Sequence, residues 1–162
     1  MQITLTGIDE VEQELQDTLL AGIVSGMEKI GLRGEYLVKR EAPKAFGRLA
    51  SSVFPHLEQD ANILTEIITN GPPADVYGTP VNFGSRPHFP PYEELIPWVK
   101  KKFGATDEKT ARSIAFLIAR KISQQGTDPN NFYGRAFEVL SEEAADIMKR
   151  QIGEAFEEAG YR

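Results

Sequence analysis

Ile63-Leu64-Thr65-Glu66-Ile67-Ile68-Thr69, closed by Asn70-Gly71-Pro72-Pro73, is the stretch on which the fold class turns. Its β-branched residues and its Asn-Gly-Pro-Pro boundary predict a strand. A second strand candidate, Ser51-Ser52-Val53-Phe54, lies upstream, and Gln59-Asp60-Ala61-Asn62 supplies a hairpin connection. Before it, Asp9 with Glu12 three residues later forms a capping-box-like helix start, with a carboxylate in place of the usual hydroxyl. Val11, Leu15, Leu19, Ile23, Met27 and Ile30 then recur at helical spacing and define one apolar stripe. Gly22, Gly26, Gly31 and Gly34 fall inside or just past it, each weakening an exposed helix interior by roughly 1 kcal/mol relative to alanine. They mark either close packing against another backbone or a kink near Gly31–Gly34. The helix is expected over 8–41, reaching about Arg40, with Pro43 ending it.

Downstream, Val76-Tyr77-Gly78-Thr79-Pro80-Val81-Asn82-Phe83-Gly84-Ser85-Arg86-Pro87-His88-Phe89-Pro90-Pro91 carries prolines that remove backbone donors and restrict the residue before each. It is therefore expected to be neither an ordinary helix nor a central strand. Short edge strands near Val76-Tyr77 and Val81-Phe83 are where the prolines do least damage. A long irregular segment inside a compact domain is often functional, and this loop, 76–91, is read as an arm that presents aromatic side chains. Tyr92 to Phe103 is a short amphipathic piece containing Trp98. Asp107 opens the next helix, with Ala111, Ile114, Ala115, Ile118 and Ile122 on one face and Gly126 at its C-cap. Asn130 or Asn131 can cap a last helix carrying Phe137, Leu140, Ala144, Ile147, Met148, Ile152 and Phe156 at helical spacing. The order is a long helix (8–41), a small antiparallel sheet (50–85) with a protruding proline- and aromatic-rich loop, then two to three helices (92–160) packed on the sheet. That is an α+β pattern in a single domain, 1–162.

The 162 residues, 41% of them hydrophobic, are enough for a core without disulfides or metal. The chain has no cysteine, which excludes thiol nucleophiles and cysteine–zinc sites. A formal net charge of -6 argues against a generic basic nucleic-acid binder. No apolar run approaches a membrane span. The N-terminus Met1-Gln2-Ile3-Thr4-Leu5-Thr6-Gly7 lacks a signal-peptide pattern, so folding in the cytosol is expected.

The two histidines, His56 and His88, have no second histidine or carboxylate at metal-ligand spacing. Neighbours in Glu93-Glu94, Glu142-Glu143 and Glu157-Glu158 point about 100° apart on a helix and do not converge on one substrate. No nucleophile elbow, phosphate loop or dinucleotide fingerprint is present. No catalytic, cofactor or metal site is expected, and the protein is read as a non-enzyme. The basic groups Lys39-Arg40, Lys100-Lys101-Lys102, Arg112, Arg120 and Lys121 are interleaved with acids and read as solubilising surface. The lysine triplet is set apart by following Trp98.

Three blocks together resemble a known family. Ala42-Pro43 with Gly47-Arg48-Leu49-Ala50-Ser51-Ser52-Val53 is the first. Tyr77 through Phe83-Gly84 to Pro90-Pro91 and Leu95-Ile96-Pro97-Trp98-Val99 is the second. Ala111 to Ile122, Gly126-Thr127, Pro129-x-x-Phe132 and Ala136 is the third. In order and spacing they are similar to the gp-ten-like, minor-tail-Z-like group of neck and tail-completion proteins of long-tailed phages and prophages, over roughly residues 35 to 140. Asn82 stands where the family has an acid before Phe-Gly, and Ser85 where it has threonine, so an intersubunit contact made by that acid in relatives does not carry over directly.

The resemblance implies a structural virion protein assembled as a ring in the host bacterial cytoplasm and placed at the head–tail junction. Its implied partners are copies of itself, a head-completion or connector protein, and the tail terminator or tail tube. DNA would pass through the lumen without sequence-specific binding, and no membrane is involved. Tyr77, Phe83, Arg86, Phe89, Tyr92 and Trp98 are the expected assembly-interface residues, with Phe83 and Phe89 as anchors. A compact chain of this length has a diameter of roughly 40 Å, and six in a ring leave a hole of about the same ~40 Å, wide enough for a duplex of roughly 20 Å. Six is the expected number. The alternative is a peptide- or protein-binding module of cellular origin that uses the same exposed arm. A small hydrolase built on His88, Arg86 and a glutamate of Glu93-Glu94 is a third reading without a nucleophile to support it.

Overall fold

The computed structural model describes residues 8–44, 47–72 and 74–161. The fold is α+β: a long N-terminal helix, a two-stranded antiparallel sheet and C-terminal helices. Helix α1 (Ile8–Glu41) is a single element with no break at its glycines. It already includes Ile8, so Asp9 lies within the helix instead of at its cap. A short turn, α2 (Arg48–Ser51), leads into β1 (Val53–Asp60) and β2 (Ile63–Asn70). Helix α3 (Asp75–Phe83) follows, then an extended stretch, a 3₁₀ turn (Tyr92–Leu95), α4 (Ile96–Phe103), α5 (Glu108–Gln125) and α6 (Phe132–Glu158).

Two local expectations are corrected. Ser51 and Ser52 are not strand. Their hydroxyls donate to the Arg48 and Leu49 carbonyls three residues back, at 3.1 and 2.9 Å, the side-chain-to-backbone pattern of a helical turn. β1 starts at Val53 and runs through Pro55, which is tolerated because both strands of a two-stranded sheet are edges. The hairpin turn is shorter than expected, Ala61-Asn62, with Ala61 at φ 47°.

The larger correction concerns the first half of the proline-rich segment. Residues 75–83, expected to be loop with edge strands near Val76-Tyr77 and Val81-Phe83, form α3 around Pro80. Proline removes one i→i−4 bond, a cost of ~3 kcal/mol in a helix interior. Burial outweighs it, and backbone bonds fasten the start of the helix. The Ala74 and Asp75 amides donate to the Gly71 carbonyl at 3.0 and 3.2 Å, and the Gly78 amide donates to Ala74 at 2.8 Å. Ala74 and Asn82 are sealed from solvent. Gly84, at φ 79°, then turns the chain out of the helix.

The chain divides into two compact units. The first comprises residues 1–37, 55–68 and 137–162. Within it α1 and α6 run antiparallel: Gly34 meets Leu140, Gly26 meets Met148, and Gly22 meets Ile152 and Ala155. A Cβ on Gly22 would lie 2.8 Å from the Ile152 Cα, so glycine is what permits this approach. Close packing, not a kink, is thus the reason for the glycines. Gly31 and Gly34 receive the Glu66 and Ile68 side chains of β2. Arg33 closes a bidentate pair with Glu143 (2.6 and 2.8 Å), and the Ser25 hydroxyl donates to Gln151 at 2.7 Å. Helix α6 ends in a left-handed glycine, Gly160 at φ 89°, with the Tyr161 amide donating back to Phe156 at 2.9 Å. The expected stripe on α1 is consequently divided. Ile23, Met27 and Ile30 are half-buried, whereas Val11, Leu15 and Leu19 are 51%, 37% and 41% exposed.

The second unit comprises residues 38–54 and 69–136. In it α4 packs on α5, where Ile96 and Val99 meet Ala111 and Ala115, flanked by Tyr92, Leu95, Trp98, Ile114 and Ile118. Small alanines on α5 let the two helices approach closely. Asp107 caps α5, accepting from the Thr110 amide at 2.8 Å, and this hydrogen bond holds its carboxyl below the usual range. Gly126 closes α5 at φ 73°, as the sequence predicts.

Candidate assembly interface

Inside the second unit the three sequence blocks meet. Asn70, buried at the end of β2, donates through Nδ2 to the Leu49 carbonyl (3.0 Å) and to the Ser52 hydroxyl (2.9 Å). Its Oδ1 accepts from the Tyr133 hydroxyl at 2.9 Å, and burial pushes the Tyr133 phenol above its ordinary pKa. Gly78 of α3 lies against both Asn70 and Leu49. Asn82, only 2% exposed, accepts from the Tyr133 amide at 3.0 Å, while its carbonyl accepts from Asn131 at 2.9 Å. Asn82 therefore caps the first turn of α6 from another part of the chain. A cap from Asn130 or Asn131 was the sequence expectation. Asn131 instead takes a left-handed turn at φ 53°, and the Tyr133 amide finds its acceptor on Asn82.

The backbone after Asn82 is fixed just as tightly. Ser85 and Thr127 exchange both backbone hydrogen bonds (3.2 and 3.1 Å), and the Thr127 hydroxyl accepts from the Ser85 amide at 2.9 Å. Gly84 and Gly126 sit at this crossing, where a Cβ on Gly84 would come within 3.1 Å of the Pro129 nitrogen. Phe132 is fully buried, its ring tilted 36° against that of Tyr133 with centroids 4.6 Å apart. Arg135 donates from Nε to Glu41 at 3.0 Å and from Nη2 to the Asn130 side chain at 3.2 Å. The hydrogen bond from Arg135 holds the Glu41 carboxyl below its usual range.

Of the expected interface aromatics, Phe83 stands furthest out, 72% exposed at the end of α3. Arg86 and Phe89 are exposed, and Tyr77, Tyr92 and Trp98 are half-buried. The aromatics are not one cluster. Phe89 and Tyr92 both meet the edge or face of Phe116 on α5, with centroids 5.9 and 5.7 Å away. Trp98 packs on the α4–α5 core and makes a T-shaped contact with Phe103 at 5.7 Å. Phe116 and Leu117, which the sequence reading did not single out, are exposed on the outer face of α5 beside Arg112 and Ser113, and with Tyr92 they line a shallow concavity. The signal for them was present: α5 has apolar residues on two faces, and only one of these is occupied by the α4 core.

The two histidines each make a local hydrogen bond. The His88 Nδ1–H donates to the Arg86 carbonyl at 2.9 Å, and His56 Nε2–H donates to Glu58 at 3.2 Å. Among the described residues no group of three or more histidines, cysteines or carboxylates could hold a metal ion. The Glu66 carboxyl has a raised pKa. Burial against α1 is the chief cause, with Glu28 adding to it and His56 opposing. No helix among the described residues is long and apolar enough to cross a membrane.

No protein-family model, curated protein or solved structure matches the chain.

Proposed function

We propose that this protein is a non-enzymatic building block of a phage or prophage head–tail junction. It would form an oligomeric ring that completes the neck or tail and joins it to the head. The observation that carries the reading is the meeting of the three blocks. Leu49 and Ser52, Asn82 and Gly84, and Thr127 through Tyr133 are far apart in sequence, yet Asn70, Tyr133 and the Ser85–Thr127 crossing hold them in one junction. The position at which the family has an acid is here a buried intrachain cap, which accounts for the tolerance of asparagine: either side chain offers the oxygen that Tyr133 needs.

The junction also orients the partner-facing surface. It fixes both ends of the turn from which Phe83 projects, and a large apolar side chain held at 72% exposure on a rigid base is suited to filling a partner's pocket. The test is Phe83→Ala, examined by negative-stain imaging with the head-completion partner. Loss of rings with unchanged thermal stability supports the reading. Normal rings from this variant remove Phe83 from the interface, and genes for non-phage functions surrounding this one favour the cellular binding module instead.

A further inference from the structure

We propose that the amino-terminal part of α1 docks, in a second copy of this chain, into the concavity lined by Tyr92, Phe116 and Leu117. The proposal rests on the ring reading for its occupant and adds the two faces that meet.

The donor face is created by unequal helix lengths. Along α1 and α6, moving four residues back on one meets four residues forward on the other, from Gly26–Met148 to Gly22–Ile152. By that register Leu15 and Val11 fall beyond Glu158, where α6 is closed by its glycine cap. Val11, Leu15 and Leu19 continue the same face that Gly22 and Gly26 bury; Leu19 lies level with the last turn of α6, Val11 and Leu15 have no α6 opposite them, and all three are exposed. Four-residue spacing aligns them in a ridge of about 12 Å. The segment from Ile8 to Leu20 carries five acidic residues and no basic one, with Glu12 and Glu14 edging the ridge.

The α5 side of the acceptor face has the opposite charge, with Glu93 and Glu94 after Tyr92 as the acids at its rim. Phe116 and Leu117 are exposed on α5, and Phe116 is held in place by Phe89 and Tyr92 from the segment before α4. Helix α5 carries four basic residues, Lys109, Arg112, Arg120 and Lys121, all exposed. Its one acid, Glu108, is paired with Lys100. An acidic apolar ridge and a basic apolar concavity are complementary, whereas ridge against ridge would bring like charges together. The contact is heterologous, head to tail, which is the kind that propagates and closes into rings. Phe89 and Tyr92 thus shape the receiving surface from within their own subunit.

The test is sedimentation velocity of the purified chain over a concentration series at low and high salt. The variants are Leu15→Ser, the double variant Leu117→Ser/Arg120→Glu, and their equimolar mixture. Wild type is expected to self-associate, less so at high salt. Leu15→Ser should weaken association roughly tenfold or more with unchanged helicity. The double variant should be weakened likewise, and the mixture should recover dimers but nothing larger, since it retains one intact face of each kind. A monomeric wild type, a variant that associates like wild type, or a mixture without dimers overturns the proposal. Rings formed by Leu15→Ser on the head-completion partner would sink this interface and leave the ring reading standing. Wild-type dimers that obey the mixing rule but give no rings with that partner would do the reverse.

Discussion

Replacing Asn82 by alanine isolates the junction that holds the three sequence blocks together. The side chain is 2% exposed and its oxygen accepts from the Tyr133 amide at 3.0 Å. Loss of a helix cap costs about 0.5–2 kcal/mol, and an amide left without an acceptor in a sealed site costs about 1–3 kcal/mol. These describe one bond and do not add. The void left by the shorter side chain does add, which brings the expected loss to about 2–3 kcal/mol. At roughly 2–4 °C per kcal/mol for a chain of this size, the melting temperature should fall by about 5–10 °C. Asn82→Asp is the control. It keeps the acceptor, and in acid, where the carboxyl is neutral and pays no burial penalty, it should lose less than alanine does. Calorimetry or circular-dichroism melting reads both. An alanine variant within about 0.5 kcal/mol of wild type would refute the capping argument.

Other substitutions probe separate parts of the structure. Gly22→Ala gains about 1 kcal/mol of helix propensity, but its Cβ would meet the Ile152 backbone, and overpacking at about 1–3 kcal/mol should win, seen as a lower denaturation midpoint. Tyr133→Phe leaves the Asn70 oxygen without its donor and should cost about 1–3 kcal/mol by the same measurement. The raised pKa of Glu66 means that the folded state holds its proton more tightly than the unfolded state. The stability this contributes is present below the unfolded carboxyl pKa and lost as pH rises through the folded value. Glu66→Gln should therefore raise the melting temperature more at neutral pH than in acid, and equal shifts at both would show that Glu66 is not desolvated. Phe83→Ala should leave the melting temperature within the range of ordinary surface substitutions while assembly weakens.

What the sequence made legible follows the range of the interactions. Helix limits set by local chemistry, such as the Asp107 cap, the Gly126 stop and the β-branched run of β2, read directly from neighbouring residues. Helix α3 did not, because Pro80 is unfavourable locally and the compensation comes from burying Ala74, Gly78 and Asn82. The apolar stripe of α1 was legible as a pattern, but its division into a covered and an uncovered part depends on where α6 ends. Helical spacing reports which residues share a face and says nothing about how much of that face has a partner. The arm was read as one aromatic surface. In the folded chain Phe89 and Tyr92 turn toward Phe116 while Phe83 faces solvent, a distinction that only tertiary contacts make.

The central claim is that copies of this chain close into a ring at a head–tail junction. Negative-stain imaging of the purified protein with its head-completion partner tests it most directly. The account predicts closed rings with a central hole of about 40 Å, and fewer of them with Phe83→Ala. Single subunits bound to the partner without lateral contacts, or no binding at all, would contradict it.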